Sequence, residues 1–161
     1  RYKLLALNID TGEELWRIEN FLKDVENDKT IHFAKGTKTA TDWLLDEKED
    51  VAYLFVRKYL IKLDLKYKTV KLIKDYHKDT DFNWSFKYTK IQNNIITFSA
   101  AEKYKFPSYF GVIDKQSKEI LWSTKCNSGA YMIEAPKLHQ NTLYISDSEN
   151  TLYVYEKDKL L

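Results

Sequence analysis

Apolar and polar residues alternate with a period of two along most of this chain, in runs that are short. That is the pattern of strands with one buried and one wetted face, because successive strand side chains point to opposite sides. In the opening run, residues 2–9 alternate up to Ile9, then Asp10, Thr11 and Gly12 supply turn chemistry, and burial resumes with Leu15 and Trp16. That order predicts a tight hairpin. The same reasoning predicts strands over 14–19, 40–45, 51–56, 59–65, 69–73, 82–90, 94–100, 109–114, 119–124, 131–135, 142–146 and 151–155, with residues 159–161 starting another. Pro136 should separate two of them, since proline donates nothing to a strand ladder. The polar segment 20–39 is expected to be a long surface connection with one helical turn near residues 21–25.

The hairpin recurs. Residues 112–122 match 6–16 without a gap: an apolar pair, an Asx residue, a Thr or Ser three positions on, and a closing Leu-Trp, so that Trp16 and Trp122 stand 106 residues apart. Between them, residues 62–72 keep Leu63-Asp64 and a closing apolar residue but lose both the glycine and the tryptophan; a fourth copy begins at 151–156. Taken at Leu7, Leu63, Ile113 and Tyr155, the steps are 56, 50 and 42 residues, close to the roughly 40–50 residues of a four-stranded propeller blade. The expected fold is all-β: antiparallel four-stranded blades of a partial or small β-propeller, about three and a half of them, in a single domain over residues 1–161. A closed propeller needs at least about four blades. The chain is therefore expected to be part of a longer propeller, to close as a small irregular ring, or to complete a ring by self-association.

Ala6, Asn8, Thr11, Gly12 and Trp16 resemble the tryptophan-docking motif of PQQ-like propeller repeats, with Asn8 where Asp is usual. Val112, Asp114, Ser117 and Trp122 give a second, degraded copy with Lys118 in place of the glycine. The resemblance implies that both tryptophans pack between neighbouring blades while Asn8, Asp114, Thr11 and Ser117 hold their turns. Such repeats occur in quinoprotein dehydrogenases and in non-catalytic scaffolds, such as the propeller lipoprotein of the bacterial outer-membrane assembly machinery. A bacterial source is part of what the resemblance implies.

Charge narrows the partner. The net charge is +2 over 161 residues, too small for global attraction to a polyanion. Its distribution is uneven: residues 24–50 carry eight acids against four lysines, and residues 57–78 carry eight Lys or Arg against Asp64 and Asp75. Lys58, Lys62, Lys66, Lys68, Lys71 and Lys74 interleave with Tyr59, Tyr67 and Tyr76. Such a mixture can grip a nucleic-acid strand, but outward lysines also protect edge strands from aggregation, and the near absence of Arg favours protection.

Candidate chemistry is sparse. His32, His77 and His139 have no short metal-ligand spacing, Cys126 stands alone, and no phosphate-binding glycine loop or nucleophile motif occurs. The acidic run 46–50 and the stretch 147–150 match no cation loop and are expected as solvated turns. Asp79 and Asp81 are the nearest thing to an acid–base pair. No quinone, metal or other cofactor is expected. No apolar run approaches membrane-spanning length. The chain starts at Arg1 without a Met or a signal-like segment, which suggests a truncated N-terminus and leaves both cytoplasmic and exported locations open.

The long connection 101–108 carries Tyr104 and Phe106 with no alternation to bury them, flanked by Lys103 and Lys105. Exposed aromatics beside lysines suit recognition of an acidic protein. Together with Tyr76, these residues are expected to form one rim. The function expected is a non-catalytic interaction scaffold or an immunity-type inhibitor. The alternative is a fragment of a PQQ-dependent dehydrogenase-like enzyme, or another propeller hydrolase.

Overall fold

The computed structural model describes residues 3–19, 21, 41, 43–78, 84–102, 106–126, 130–132, 134–140 and 142–156. Among the described residues, thirteen strands form four antiparallel sheets. The first pairs β1 (Lys3–Leu7) with β2 (Glu14–Glu19). The second runs in sequence order through β3 (Leu44–Asp46), β4 (Val51–Val56), β5 (Tyr59–Asp64) and β6 (Thr69–Asp75), followed by a 3-10 turn at Tyr76–Lys78. The third takes β7 (Trp84–Gln92), β8 (Ile95–Glu102), β9 (Tyr109–Asp114) and β10 (Ile120–Lys125), and the fourth β11 (Lys137–His139), β12 (Thr142–Ser146) and β13 (Leu152–Glu156).

Three hairpins share one geometry because their turns share one set of hydrogen bonds. The Asn8 side-chain oxygen accepts from the N–H groups of Asp10 (2.8 Å) and Thr11 (3.0 Å), and the Asp114 carboxylate accepts from Ser117 N–H at 2.6 Å. Asn8 N–H donates to the Glu13 carbonyl and Asp114 N–H to that of Glu119. Thr11 and Ser117 each accept the N–H two residues on, at 3.3 Å. Asp64 accepts from Tyr67 N–H at 2.8 Å in the middle copy. In every copy the residue before the Asx pairs with the one six positions after it: Leu7 with Glu14, Leu63 with Val70, Ile113 with Ile120. Gly12, Lys68 and Lys118 close the three turns at φ of 72°, 55° and 64°. The missing glycines thus leave the left-handed turn in place.

Sheets pack through alternate residues. Phe21, Leu54, Val56, Tyr59 and Ile61 bury against Leu4 and Ile18, joining the first sheet to the second. Phe55, Tyr76, Trp84, Phe86 and Phe98 form an aromatic cluster between the second and third, with Trp84 stacked on Phe98 at 5.1 Å and on Tyr109 at 5.4 Å. Phe110, Met132 and Ile145 join the third to the fourth. Trp122 packs there too, against Phe110 (5.7 Å) and Tyr155 (5.0 Å). Trp16 and Trp122 are both half-buried.

The edges of the pattern differ from expectation in three places. The strand expected over 40–45 shortens to Leu44–Asp46, because Thr41 ties to Phe55 by its own N–H (2.9 Å) and by its hydroxyl, which accepts Phe55 N–H at 3.2 Å. The strand expected over 131–135 reduces to a bridge between Met132 and Asp147. Pro136 lies in no strand, but an unexpected strand, β11, begins directly after it. A missing N–H is tolerated there, and the Pro136 carbonyl accepts the Thr97 hydroxyl of β8 at 2.5 Å.

Candidate protein-interaction surface

Strand alternation divides the connections between two ends of the sheets. The turns β3–β4, β5–β6, β7–β8 and β9–β10 share one end: Leu65 N–H donates to Asp50, Lys115 N–H to Asn94, and Lys115 Nζ reaches Asp46. The connection β8–β9 and the turn β12–β13 lie at the other.

At that second end Phe106 is 67% exposed. Its ring stacks on Tyr131 with centroids 4.4 Å apart and planes inclined by 21°. The pair is held from beneath: Met132 N–H donates to the Pro107 carbonyl at 2.6 Å, Cys126 N–H to Ser108 at 2.7 Å, and Ser148 N–H to Tyr131 at 2.9 Å. Backbone hydrogen bonds thus hold the segments that carry the two rings. Tyr131 was not foreseen, since nothing in its local sequence marks it as a platform for a ring 25 residues away. Lys103, Tyr104 and Lys105 lie outside the described residues, as do Asp79, Asp81 and His32.

Tyr76 does not belong to this rim. It is fully buried, packed edge-on against Phe86 at 5.2 Å, and its hydroxyl donates to the Lys118 carbonyl at 2.8 Å. A tyrosine at the end of a strand that faces the next sheet buries its ring there and satisfies its hydroxyl on a turn carbonyl.

The turn end carries an ionic network. Asp46 was expected in a solvated turn but is only 7% exposed, and its carboxylate meets Lys115 Nζ at 2.5 Å; Glu49 meets the same ammonium at 2.9 Å. Lys115 holds both carboxyl groups below their ordinary range, against burial working upward. Beside them, the Tyr53 phenol is pushed up to about 12 by burial and then by the Glu49 charge. Lys118 Nζ sits 4.5 Å above the Tyr53 ring, bonds to its hydroxyl at 3.2 Å and to the Lys115 carbonyl. Burial lowers its pKa. A cleft of about 240 Å³ opens alongside, lined by Asp46, Glu47, Ile91, Asn93 and Lys115 among others.

Other reactive groups are paired locally. His77 Nδ1 is 2.9 Å from Asp75 and its ring 4.7 Å from that of Tyr59. Cys126 Sγ contacts the Tyr153 hydroxyl (3.1 Å), which donates to Asp147 at 2.9 Å. Asp147, expected in a solvated turn, is buried. Among the described residues no group of three or more His, Cys, Asp or Glu side chains could hold a metal ion, and no helix is long and apolar enough to cross a membrane.

The arrangement of sheets is shared with solved structures. BamB from Moraxella catarrhalis superposes on 91% of the chain with a TM-score of 0.54 and 14% identity. Sqt1 from Saccharomyces cerevisiae covers 99% with a TM-score of 0.62 and 10% identity. The fold is that of a partial β-propeller. A chain of the mitotic checkpoint complex matches over 96%, with a TM-score of 0.50 and 10% identity. The chain spans 38% of the length of the BamB chain and 40% of the Sqt1 chain. No protein-family model and no curated protein sequence matches it.

Proposed function

We propose that this chain is a non-catalytic propeller module, built from PQQ-like repeats, that holds another protein against the end of its blades carrying Phe106. The observation that carries the proposal is the Phe106–Tyr131 stack, exposed at its outer ring and fixed beneath by backbone hydrogen bonds. Binding energy concentrates in aromatic anchors of this kind, ringed by groups that exclude water. Tyr104, Lys103 and Lys105 adjoin Phe106 in sequence and would widen the same rim, with the lysines steering an acidic partner. Similarity to a chain of a multiprotein complex is in keeping with such a role.

The test is a pull-down from the native host, followed by titration of Phe106→Ala, alone and with Tyr104→Ala. Affinity is expected to fall by at least about 2 kcal/mol, roughly thirtyfold, with an unchanged circular dichroism spectrum. Undiminished affinity in the double variant would remove this end from the account.

A further inference from the structure

Edge protection explains Lys71, which lies exposed on β6, the outermost strand of the second sheet. It does not explain Lys62. That residue lies on β5, paired on both sides, with Tyr53 directly opposite on β4 and Lys71 directly opposite on β6. Two ammonium groups facing each other across a ladder repel. Lys62 shares its face with Leu60, which is buried against the third sheet, so both lysines look toward the β9–β10 turn and the half-buried ammonium of Lys118 above Tyr53. Burial disfavours the protonated form of that ammonium most; the charges of Lys115 and Lys62 act the same way, against those of Glu49 and Asp114. Among the described residues, no carboxylate lies within ion-pair distance of Lys62, Lys71 or Lys118. The nearby acids are occupied: Glu49 by Lys115, Asp64 and Asp114 by their own turns, Glu119 by Lys74 at 2.7 Å. Lys118 also holds a left-handed backbone that glycine would adopt with less strain. Two like charges face each other across the ladder and a third stands on a left-handed turn residue, with no ion pair to any of the three among the described residues.

We propose that this groove between the second and third sheets, at the turn end, takes an acidic side chain of a partner protein through Lys62, Lys71 and Lys118. The carboxylate relieves a repulsion that the folded chain otherwise carries. Tyr67, 67% exposed in the adjoining β5–β6 turn, offers an apolar contact beside it. Nucleic acid fits less well, because the acids of the flanking turns interrupt the run of positive charge that a phosphate chain follows. The site lies at the opposite end from Phe106 and stands independently of it.

Fluorescence anisotropy with a labelled, glutamate-rich decapeptide tests the site, at about 50 and about 300 mM NaCl. Lys118→Gly, which restores the residue best suited to the turn, is expected to weaken binding about tenfold without lowering the melting temperature. Lys62→Gln with Lys71→Gln is expected to weaken it at least about tenfold and to raise the melting temperature, by removing the opposed charges. Lys90→Gln with Lys137→Gln is the charge-matched control, and Phe106→Ala should bind the peptide as the parent does. The proposal fails if the control loses as much affinity, if the parent shows no saturable binding below about 1 mM peptide, if single-stranded DNA of equal charge binds more tightly, or if Lys62→Gln with Lys71→Gln lowers the melting temperature.

Discussion

Replacing Lys115 by Met keeps most of the side chain's length and apolar stem while removing the charge that crosses from the third sheet to the second. Asp46 then stays only 7% exposed without its cation. Breaking a buried pair from one side costs about 3–5 kcal/mol, since the remaining charge is neither hydrated nor paired. Backbone N–H groups of Lys48 and Glu49 still reach the Asp46 carboxylate, which puts the expected loss near about 3 kcal/mol. Glu49 is nearly half-exposed and contributes little. At this chain length, a loss of about 3 kcal/mol lowers the melting temperature by roughly 6–12 °C. The pH dependence has a definite sign. Lys115 lowers the folded pKa of Asp46 below its unfolded value, so the pair's stabilisation is complete above the ordinary carboxylate range. It is lost as pH falls through the depressed folded value. Thermal melts from pH 7 down to pH 3 should therefore show the parent and Lys115→Met converging in acid, below about pH 4. Lys115→Met with Asp46→Leu should recover most of the loss at neutral pH. An unchanged melting temperature, or a gap that stays constant down to pH 3, would refute the pairing.

Trp122→Ala should cost about 3 kcal/mol, the low end for tryptophan because the ring is half-buried. An unmoved urea midpoint would mean that the Trp122–Tyr155 contact does not hold the last two sheets together. Gly111→Ala should cost at least about 2 kcal/mol: its Cβ would lie 2.3 Å from the Trp122 carbonyl oxygen and 2.8 Å from the Phe98 ring, and that carbonyl belongs to β10. Equal melting temperatures would show that β10 can retreat.

Most strands were legible because a strand with one buried face writes its period into the sequence. Glu14–Glu19 and Thr142–Ser146 fall where alternation places them, and Val51–Val56, buried on both faces, was legible instead as a short continuous apolar run. β11 was missed because Lys137-Leu138-His139 is too short to show a period, and because the Pro136 ahead of it reads as a break. The site was less legible, for reasons of distance. Asp46 and Lys115 are 69 residues apart, and nothing local tells a buried, paired Asp from the exposed acids beside it. Tyr76 and Phe106 both read as aromatics near lysines. Only the packing of sheet on sheet decides that one ring fills the core and the other faces water.

The repeated turn explains why chemistry could collect at one end without disturbing the blades. Its fourth residue after the Asx must be left-handed, and Gly12, Lys68 and Lys118 all are. A Cβ at Gly12 would meet nothing within 4 Å, so a side chain there costs backbone strain of about 1–2 kcal/mol and no clash. The hydrogen bonds of the Asx residue and the fixed six-residue pairing hold the register in all three copies. A register slip would turn every buried side chain to water, which costs far more than the strain at one turn. The turn residue can therefore vary while the strands stay in place. In two of three copies it is a lysine, and at Lys118 that lysine carries its charge into the space between two sheets.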